Sequence, residues 1–346
     1  MRARRIITVI GAHAEGEVGK VITGGVLPPP GRSVREQQQW LMHHDDGLRK
    51  FLLYEPRGGA FTHANLVVPA KDARADAGFI IMEPDDYPPM SGSNCICVAT
   101  VLLETGMLAM QEPLTRVTLE TPGGLVPVEA SCKDGRVERV TLTNVPSYAA
   151  ALDVSLEVPG YGRIRVDVGY GGAYFVIADA QDFGFQLVPD EARALVETGE
   201  LVKAAAREQI GVQHPEIREF NKIAFTEFTL PIVNEDNERR GRNTVVISPG
   251  KLDRSPCGTG TCARLAVMHA KSEIKTGEGF VSLSVIGSRF EGRVAAETTL
   301  KDGTPAILPT ISGRAWISGT HSYVLHPDDP WPEGYTLSDT WYRALS

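Results

Sequence analysis

The sequence predicts an α+β protein made of two related halves, and a repeated loop is the main reason. Residues 83–94 and 248–260 each follow a short apolar run, pass through prolines, and reach a small side chain, a glycine and a hydroxyl residue. Ser91 and Cys257 occupy matching places in these loops, 166 positions apart (257 minus 91) in a chain of 346 residues. An internal repeat determines the architecture. We therefore expect each half to bring one of these side chains to a shared point.

The first half reads as a mixture of strands and helices separated by glycine and proline turns. Ser33 and Glu36 form a capping box that marks a helix start. Residues 96–103 are apolar on nearly all sides, which predicts a helix buried in the middle of its domain and ended by Gly106. The expected elements are strand, turn and strand over 6–25, a helix from 33 to about 52, a strand at 79–82, a helix at 96–103, and strands at 117–121, 126–129 and 137–142.

The same plan restarts near Pro146. Its expected elements are strands at 163–168 and 174–178, an amphipathic helix at 190–210 capped by Asp190, a strand at 245–247, a buried helix at 262–271, and strands at 280–286 and 293–297. We therefore expect an N-terminal domain of residues 1–145 plus about 322–346, which carries Ser91. Residues 146–321 form the C-terminal domain, which carries Cys257, and the active site lies in the cleft between the two.

Composition excludes several classes of protein. Hydrophobic residues make up 42% and charged residues 23%, as in soluble globular proteins, and a net charge of −8 argues against a nucleic-acid surface. The apolar run after the arginines of 2–5 is too short for a signal peptide, and no stretch approaches the length of a membrane span. Five cysteines are an odd number, which favours a reducing cytoplasm over a disulfide framework. The sequence leaves the oligomeric state open, a homodimer included.

The paired loops have the features of an anion site. A glycine at the start of a buried helix leaves backbone N–H groups unpaired at one point, and the helix dipole adds partial positive charge there. Gly92-Ser93 and Gly258-Thr259 each supply such a point. Two of them together would hold a carboxylate without arginine, beside Ser91 and Cys257. Taken singly, either loop is more often an ordinary turn.

Cys257 is the candidate base. A thiol at a helix start has a pKa that falls toward neutrality, and its thiolate could remove a proton from the carbon next to a carboxylate. Asp253, four residues upstream, could hold a protonated substrate amine. His13 is equally compatible with a site role and a structural role. The other histidines, His63 among them, show no ligand or triad spacing, and the spacing of Cys95 and Cys97 argues against zinc, so we expect no metal site.

At this point the chain resembles the proline racemase family, which includes proline racemase, 4-hydroxyproline 2-epimerase and trans-3-hydroxy-L-proline dehydratase. The resemblance runs through almost the whole chain, and the second loop is its most specific part. The matching segments are His13 with Gly16-Glu17, Gly24-Gly25, Met90-Ser91-Gly92, Glu120-Thr121-Pro122-Gly123-Gly124, Tyr170-Gly171-Gly172, residues 253–260 and residues 313–319.

The resemblance implies two pseudo-symmetric diaminopimelate-epimerase-like domains, each a curved, mostly antiparallel sheet around a central helix. It implies no cofactor, a hydroxyproline-like substrate, and residues 91 and 257 on opposite sides of the substrate Cα. It also implies that Gly92, Ser93, Gly258 and Thr259 bind the carboxylate and that Asp253 contacts the ring nitrogen.

One departure from the family pattern concerns the chemistry. Racemases and epimerases of the family typically carry cysteine where this chain has Ser91, and a serine without a nearby base is a weak partner for a thiolate. Dehydration of trans-3-hydroxy-L-proline to Δ1-pyrroline-2-carboxylate needs one base only, so the sequence favours this hydro-lyase activity in hydroxyproline catabolism. The alternatives are 4-hydroxyproline 2-epimerase, as a main or side activity, and a non-catalytic imino-acid binding protein.

Overall fold

The computed structural model describes residues 3–218 and 220–342. Arg2 of the N-terminal arginines and residues 343–346 of the predicted N-terminal domain therefore lie outside the described residues. By internal contacts the chain divides into two compact units, Met1–Leu142 with Gly313–Ser346, and Thr143–Ser312. The division after Ser312 gives the whole of the last strand to the first unit, whereas the sequence-based boundary near 321 divides that strand.

Among its described residues the first unit contains eight strands and three helices, and all but the last strand lie before residue 144. In chain order they are β1 (Arg5–Ala14), β2 (Glu17–Gly24), α1 (Val34–His44), α2 (Gly47–Leu53), β3 (Thr62–Val68), β4 (Ala77–Met82), α3 (Gly92–Glu104), β5 (Leu114–Thr121), β6 (Gly124–Lys133), β7 (Arg136–Thr143) and, numbered last in the chain, β18 (Ala315–Leu325).

These strands form one continuous sequence of pairings. The order is β18-β1-β2-β3-β4-β5-β6-β7, in which β2/β3 and β4/β5 are parallel and the other pairs between β18 and β7 are antiparallel. The register places His13 opposite Val18 and Asn65 opposite Ile81. Helix α3 is the crossover between the parallel strands β4 and β5, as parallel pairing requires a long connection.

The second unit uses the remaining elements. They are β8 (Tyr148–Val158), β9 (Gly162–Tyr170), β10 (Tyr174–Asp179), α4 (Ala192–Gln209), β11 (Ile223–Thr229), β12 (Val233–Glu235), β13 (Glu238–Ile247), β14 (Lys251–Leu252), α5 (Gly258–Ala270), β15 (Gly279–Leu283), β16 (Arg289–Thr299) and β17 (Pro305–Gly313). Two 3₁₀ turns, Ala180–Phe183 and Pro189–Glu191, precede α4.

The pairing order of the second unit repeats that of the first. It runs β8-β9-β10-β11-β13-β15-β16-β17, again with two parallel pairs, β10/β11 and β13/β15, at the same places in the order. Helix α5 is the crossover between β13 and β15, as α3 is between β4 and β5. The equivalent of β8 in the first unit is β18, which arrives from the far end of the chain.

Each unit is organised around its crossover helix. Every residue of α3 from Gly92 to Leu103 and every residue of α5 from Gly258 to Met268 is buried. Helices with apolar residues on all sides belong in a core, because no face of theirs gains from contact with water. The predicted fold class, two α+β domains with a curved sheet around a central helix, is confirmed.

Two helix predictions need correction. The helix expected from 33 to about 52 is two helices, because Asp45 leaves the helical region (φ −145°, ψ 55°) and a new helix, α2, starts at Gly47 after its N-cap Asp46. Ser33 does cap α1, accepting a hydrogen bond from the Glu36 N–H at 3.1 Å. Asp190 is not the cap of α4: it lies inside the 3₁₀ turn, and α4 begins at Ala192.

Three further findings concern the described residues. All five cysteines are free and buried. Within residues 3–218 and 220–342, no cluster of three or more His, Cys, Asp or Glu side chains is arranged to hold a metal ion. No helix in the same part of the chain has both the length and the apolar character needed to cross a membrane.

Candidate active site

Ser91 is the residue that begins α3. Its backbone is extended (φ −151°, ψ 125°), and its carbonyl accepts the Cys95 N–H at 3.0 Å, which starts the helix. Its Oγ accepts a hydrogen bond from Asn94 Nδ2 at 3.0 Å and lies 3.4 Å from the Ser93 hydroxyl. The side chain is therefore held in one orientation at the start of the helix, while the residue keeps some exposure to solvent.

A buried polar chain lies behind Ser91. Asn94 Nδ2 is also 3.3 Å from His63 Nδ1, and His63 Nε2 is 3.3 Å from the Glu17 carboxylate. A second carboxylate, that of Glu83, lies 3.7 Å from His63 Nδ1. The three side chains of His63, Glu17 and Asn94 are each at most 2% exposed. A polar group buried this deeply is costly unless it has polar partners, and these contacts place polar groups beside both ring nitrogens of His63.

Cys257 occupies the same position at the start of α5. Its backbone is in the positive-φ region (φ 63°, ψ 110°), which is strained for a residue with a side chain and is typical of functional sites. Its Sγ accepts the Gly260 N–H at 3.4 Å and lies 3.7 Å from the Thr259 hydroxyl. In both units the residue before the helix therefore contacts the hydroxyl of the residue two positions later in the chain. It also accepts an N–H from the residue three positions later.

The loop before Cys257 is fixed by Asp253. The Asp253 Oδ1 atom accepts hydrogen bonds from the Ser255 N–H and the Ser255 hydroxyl, each at 2.8 Å. Ser255 Oγ in turn accepts the Cys257 N–H at 3.1 Å. Asp253 is only 4% exposed, so it shapes the loop in addition to placing negative charge close to the thiol.

The pKa of Cys257 corrects one sequence-based expectation. Burial and the Asp253 carboxylate raise the pKa of the Cys257 thiol well above its ordinary value, although the Gly260 N–H and the Thr259 hydroxyl act in the opposite direction. The expected fall toward neutrality is therefore wrong for the protein without substrate. Its position at a helix start is not enough to lower the pKa of the thiol, because loss of hydration and the nearby negative charge outweigh the effect of the helix dipole.

Glu227 is a second buried carboxyl group in this unit. Burial raises the pKa of Glu227 to about 7, and the Arg264 cation and the Asn243 amide counteract this rise only in part. Asn243 Nδ2 donates to Glu227 Oε1 at 2.9 Å and to the Pro256 carbonyl at 2.8 Å. Glu227 is thus connected through one amide to the residue that precedes Cys257.

The four residues predicted to bind a carboxylate lie in the first turns of the two helices. Gly92 and Ser93 open α3, and Gly258 and Thr259 open α5. The first N–H groups of any helix have no partner within the helix, so both starts can donate to an anion. Within its own unit each start lies directly beside the residue predicted to be catalytic.

The comparisons with known proteins identify the family. A model of the proline racemase family matches residues 9–336 of the chain. This protein belongs to the proline racemase family. The matched range includes all the segments on which the sequence resemblance was based, and it extends through both units.

Two solved structures are similar to this protein over nearly the whole chain. A hydroxyproline epimerase from Agrobacterium vitis, crystallised with bound trans-4-hydroxy-L-proline, is 43% identical, with a TM-score of 0.90, covering 99% of this chain and 98% of that one. A probable proline racemase from Agrobacterium radiobacter K84, with bound carbonate, is also 43% identical, with a TM-score of 0.90 and coverage of 97% and 98%.

A more distant structure shares the fold alone. A phenazine biosynthesis protein of the PhzF family from Bacillus anthracis is 11% identical, with a TM-score of 0.58, covering 93% of this chain and all of that one. The two-domain architecture of this proline racemase family member therefore also occurs in proteins with little sequence similarity to it.

His13 has a local structural role in this family member. Its Nδ1 accepts the Gly16 N–H at 3.3 Å across the β1–β2 turn, and its ring stacks on Trp316 with centroids 5.3 Å apart. Burial lowers the pKa of His13. These contacts stabilise the turn. A role of His13 in the chemistry stays a prediction.

Sequence reasoning missed three polar residues. His63 showed no recognisable spacing, Asn94 was included in the first loop without a role, and Glu227 was not considered. A signal was present, because His63 and Asn65 lie two positions apart in the largely buried strand β3, and Glu227 lies between two aromatic residues of β11 with only Thr226 beside it on that side. A polar side chain inside a buried strand is unusual enough to suggest a role.

Proposed function

We propose that this protein is a cofactor-independent hydroxyproline 2-epimerase that inverts Cα of 4-hydroxyproline. The observation that carries the proposal is the matched pair of helix starts, one with Ser91 and one with Cys257, each beside N–H donors suited to a carboxylate. The 43% identity to a hydroxyproline epimerase crystallised with trans-4-hydroxy-L-proline supports this substrate class. It favours epimerisation over the dehydration preferred from the sequence.

In the proposed reaction the two residues act on opposite faces of one Cα. The Cys257 thiolate takes the Cα proton, and the electron pair moves into the carboxylate, whose charge is met by the N–H groups of the helix starts. The Ser91 hydroxyl then gives its proton to the other face of the carbon. In the reverse direction the resulting alkoxide takes the proton back and the Cys257 thiol returns its own.

Substrate binding would itself activate Cys257. The Asp253 carboxylate is one cause of the raised thiol pKa. A protonated ring nitrogen held by Asp253 would cancel that charge, and a positive charge nearby favours the thiolate. The thiol would therefore remain protonated in the empty protein and lose its proton when substrate is bound, which protects it from side reactions.

The proposal is tested with purified protein, each hydroxyproline epimer and proton NMR in ²H₂O. We expect inversion of trans-4-hydroxy-L-proline to its 2-epimer with solvent deuterium at Cα. Cys257→Ala should abolish the reaction, while Cys262→Ala, a change at another buried cysteine of the same helix region, should retain it. Absence of both inversion and exchange in the parent protein would refute the proposal.

Dehydration of trans-3-hydroxy-L-proline is the second candidate. It is favoured by the unequal pair at the helix starts, one thiol and one alcohol. In this substrate the Cα proton and the 3-hydroxyl lie on the same face, so one base can take the proton and return it to the departing hydroxyl. The enamine product becomes Δ1-pyrroline-2-carboxylate. Loss of water from the 3-hydroxy substrate, faster than inversion of the 4-hydroxy substrate, would establish the dehydratase instead.

A non-catalytic imino-acid binding protein is the third reading from the sequence. Such a protein would bind pyrrole-2-carboxylate, a planar mimic of the deprotonated substrate, without turnover. The same NMR experiment decides, because any deuterium at Cα excludes it.

A further inference from the structure

The two residues at the helix starts differ in what supports them. Cys257 Sγ accepts a backbone N–H from Gly260, whereas Ser91 Oγ accepts a side-chain amide from Asn94 that is itself part of the buried chain through His63. An alkoxide is a much stronger base than a thiolate, so it needs more stabilisation to form. Ser91, which would form the stronger base, therefore also has the more extensive hydrogen-bonded support.

The hydrogen-bond directions around Asn94 are fixed by its neighbours. Asn65 Nδ2 donates to Asn94 Oδ1 at 2.7 Å, so the carbonyl side of the amide faces Asn65. The NH₂ group then points its two hydrogens at Ser91 Oγ (3.0 Å) and at His63 Nδ1 (3.3 Å). A donated Asn94 N–H at Nδ1 corresponds to the His63 tautomer with its proton on Nε2, the atom that lies 3.3 Å from a Glu17 carboxylate oxygen.

This arrangement has a direct consequence for Ser91. Since its Oγ accepts from Asn94, its own hydrogen is directed elsewhere and is available for transfer. After transfer, the Asn94 N–H faces the new negative charge, and hydrogen bonds to charged groups are about twice as strong as neutral ones. Asn94 is held rigidly: it is 1% exposed, and a Cβ on Gly19 of the neighbouring strand would lie only 3.0 Å from its Oδ1.

We propose that Asn94, aligned by His63 and Glu17, is a positioning residue that directs the Ser91 hydroxyl proton toward the substrate and stabilises the serine alkoxide. This inference rests on the proposed function, since it gives Ser91 a step in Cα inversion. Sequence reasoning took Ser91 as poorly supported for such a step; the amide and the histidine behind it provide the missing support.

The test separates the two faces of Cα. Asn94→Asp has the same shape but replaces the N–H donor by an acceptor. We expect inversion to fall about 10- to 100-fold, as for loss of one hydrogen bond to a developing charge. Exchange without inversion, for the epimer whose Cα proton Cys257 removes, should persist near the parental rate. That persistence also shows that the variant is folded.

The control is Thr100→Val. Thr100 is fully buried in α3, and its hydroxyl has no hydrogen-bond partner among the described residues. The change therefore alters the interior of the same helix without touching Ser91, and both inversion and exchange should stay at the parental level.

A double-mutant comparison excludes an indirect effect. In a Ser91→Ala background, Asn94→Asp should cause no further loss of inversion, because the effects of two residues that act through one another are not additive. His63→Gln, which leaves Asn94 itself in place, should show the same one-sided pattern with a smaller loss. It also provides the test if Asn94→Asp does not fold.

Three outcomes would overturn the inference: unchanged inversion in Asn94→Asp, an equal loss of exchange on the Cys257 face, or a further loss in the Ser91→Ala background. Failure of the proposed function looks different, since the parent protein itself would then show no inversion of 4-hydroxyproline.

Discussion

Replacing Glu227 by glutamine should make the stability of the protein less dependent on pH. The pKa of Glu227 is raised from 4.5 to about 7 in the folded protein, chiefly by burial. Below pH 4.5 the carboxyl group is protonated in both the folded and unfolded states. Between pH 4.5 and 7 only the folded state keeps this proton, so a rise in pH favours the unfolded state.

The size of the effect follows from the two pKa values. The parent loses about 2 to 3 kcal/mol of folding free energy between pH 5 and pH 8 through this one group. Glutamine does not titrate, and its carbonyl oxygen can still accept the hydrogen bond from Asn243 that Glu227 Oε1 accepts at 2.9 Å. The stability of Glu227→Gln relative to the parent should therefore rise by that amount across the interval.

Urea unfolding at pH 5, 6, 7 and 8 measures this difference directly. Comparing the change with pH, rather than stability at one pH, removes the constant effect of the altered contact with Arg264. Glu208→Gln, at an exposed position of α4, controls for the loss of one negative charge from the same unit. A stability difference between Glu227→Gln and the parent that stays constant from pH 5 to 8 would refute the reasoning.

Three other predictions concern packing and the two helix starts. Gly171→Ala should lower the free energy of unfolding by at least about 2 kcal/mol in a thermal melt, since the new Cβ would lie 2.1 Å from a backbone oxygen of α5. The control is Gly211→Ala, which should leave the melt unchanged because a Cβ there would meet no atom within 4 Å. Asp253→Asn should speed alkylation of Cys257 by iodoacetamide at pH 8, because removing a negative charge from beside the thiol lowers the pKa of the thiol. Turnover should fall in the same variant. Slower alkylation would contradict this reasoning. Ser91→Cys should raise deuterium exchange on the Ser91 face, since a thiol ionises more readily than an alcohol, and no increase in the NMR assay would argue against serine acidity as the limit.

Much of the fold could be predicted from the sequence because its strongest signals are local. The buried helices α3 and α5 are apolar on all sides, and the loops before them repeat, which was enough to infer two similar units. The break between α1 and α2 was missed, because the apolar pattern continues across Asp45 and Asp46. The pairing of β18 with β1 could not be predicted either, since it joins segments about 300 residues apart.

The candidate site was only partly predictable, for a related reason. Ser91, Cys257 and Asp253 stand in distinctive loops, so residue type and spacing identify them. His63 and Asn94 lie 31 positions apart, and their contact depends on how β3 packs against α3. The pKa of Cys257 was misjudged because a helix start can be recognised from sequence, whereas the degree of burial and the nearby carboxylate depend on tertiary structure.

The position of β18 affects how the chain can fold as it is synthesised. When residues 1–142 have left the ribosome, β1 is paired with β2 on one side only, because its other partner is made some 170 residues later (315 minus 142 gives 173). An open strand edge is a site for wrong pairing with other chains. The strands of the second unit are contiguous in sequence, so this unit can complete its own sheet first. The sheet of the N-terminal unit is completed last, when β18 pairs with β1.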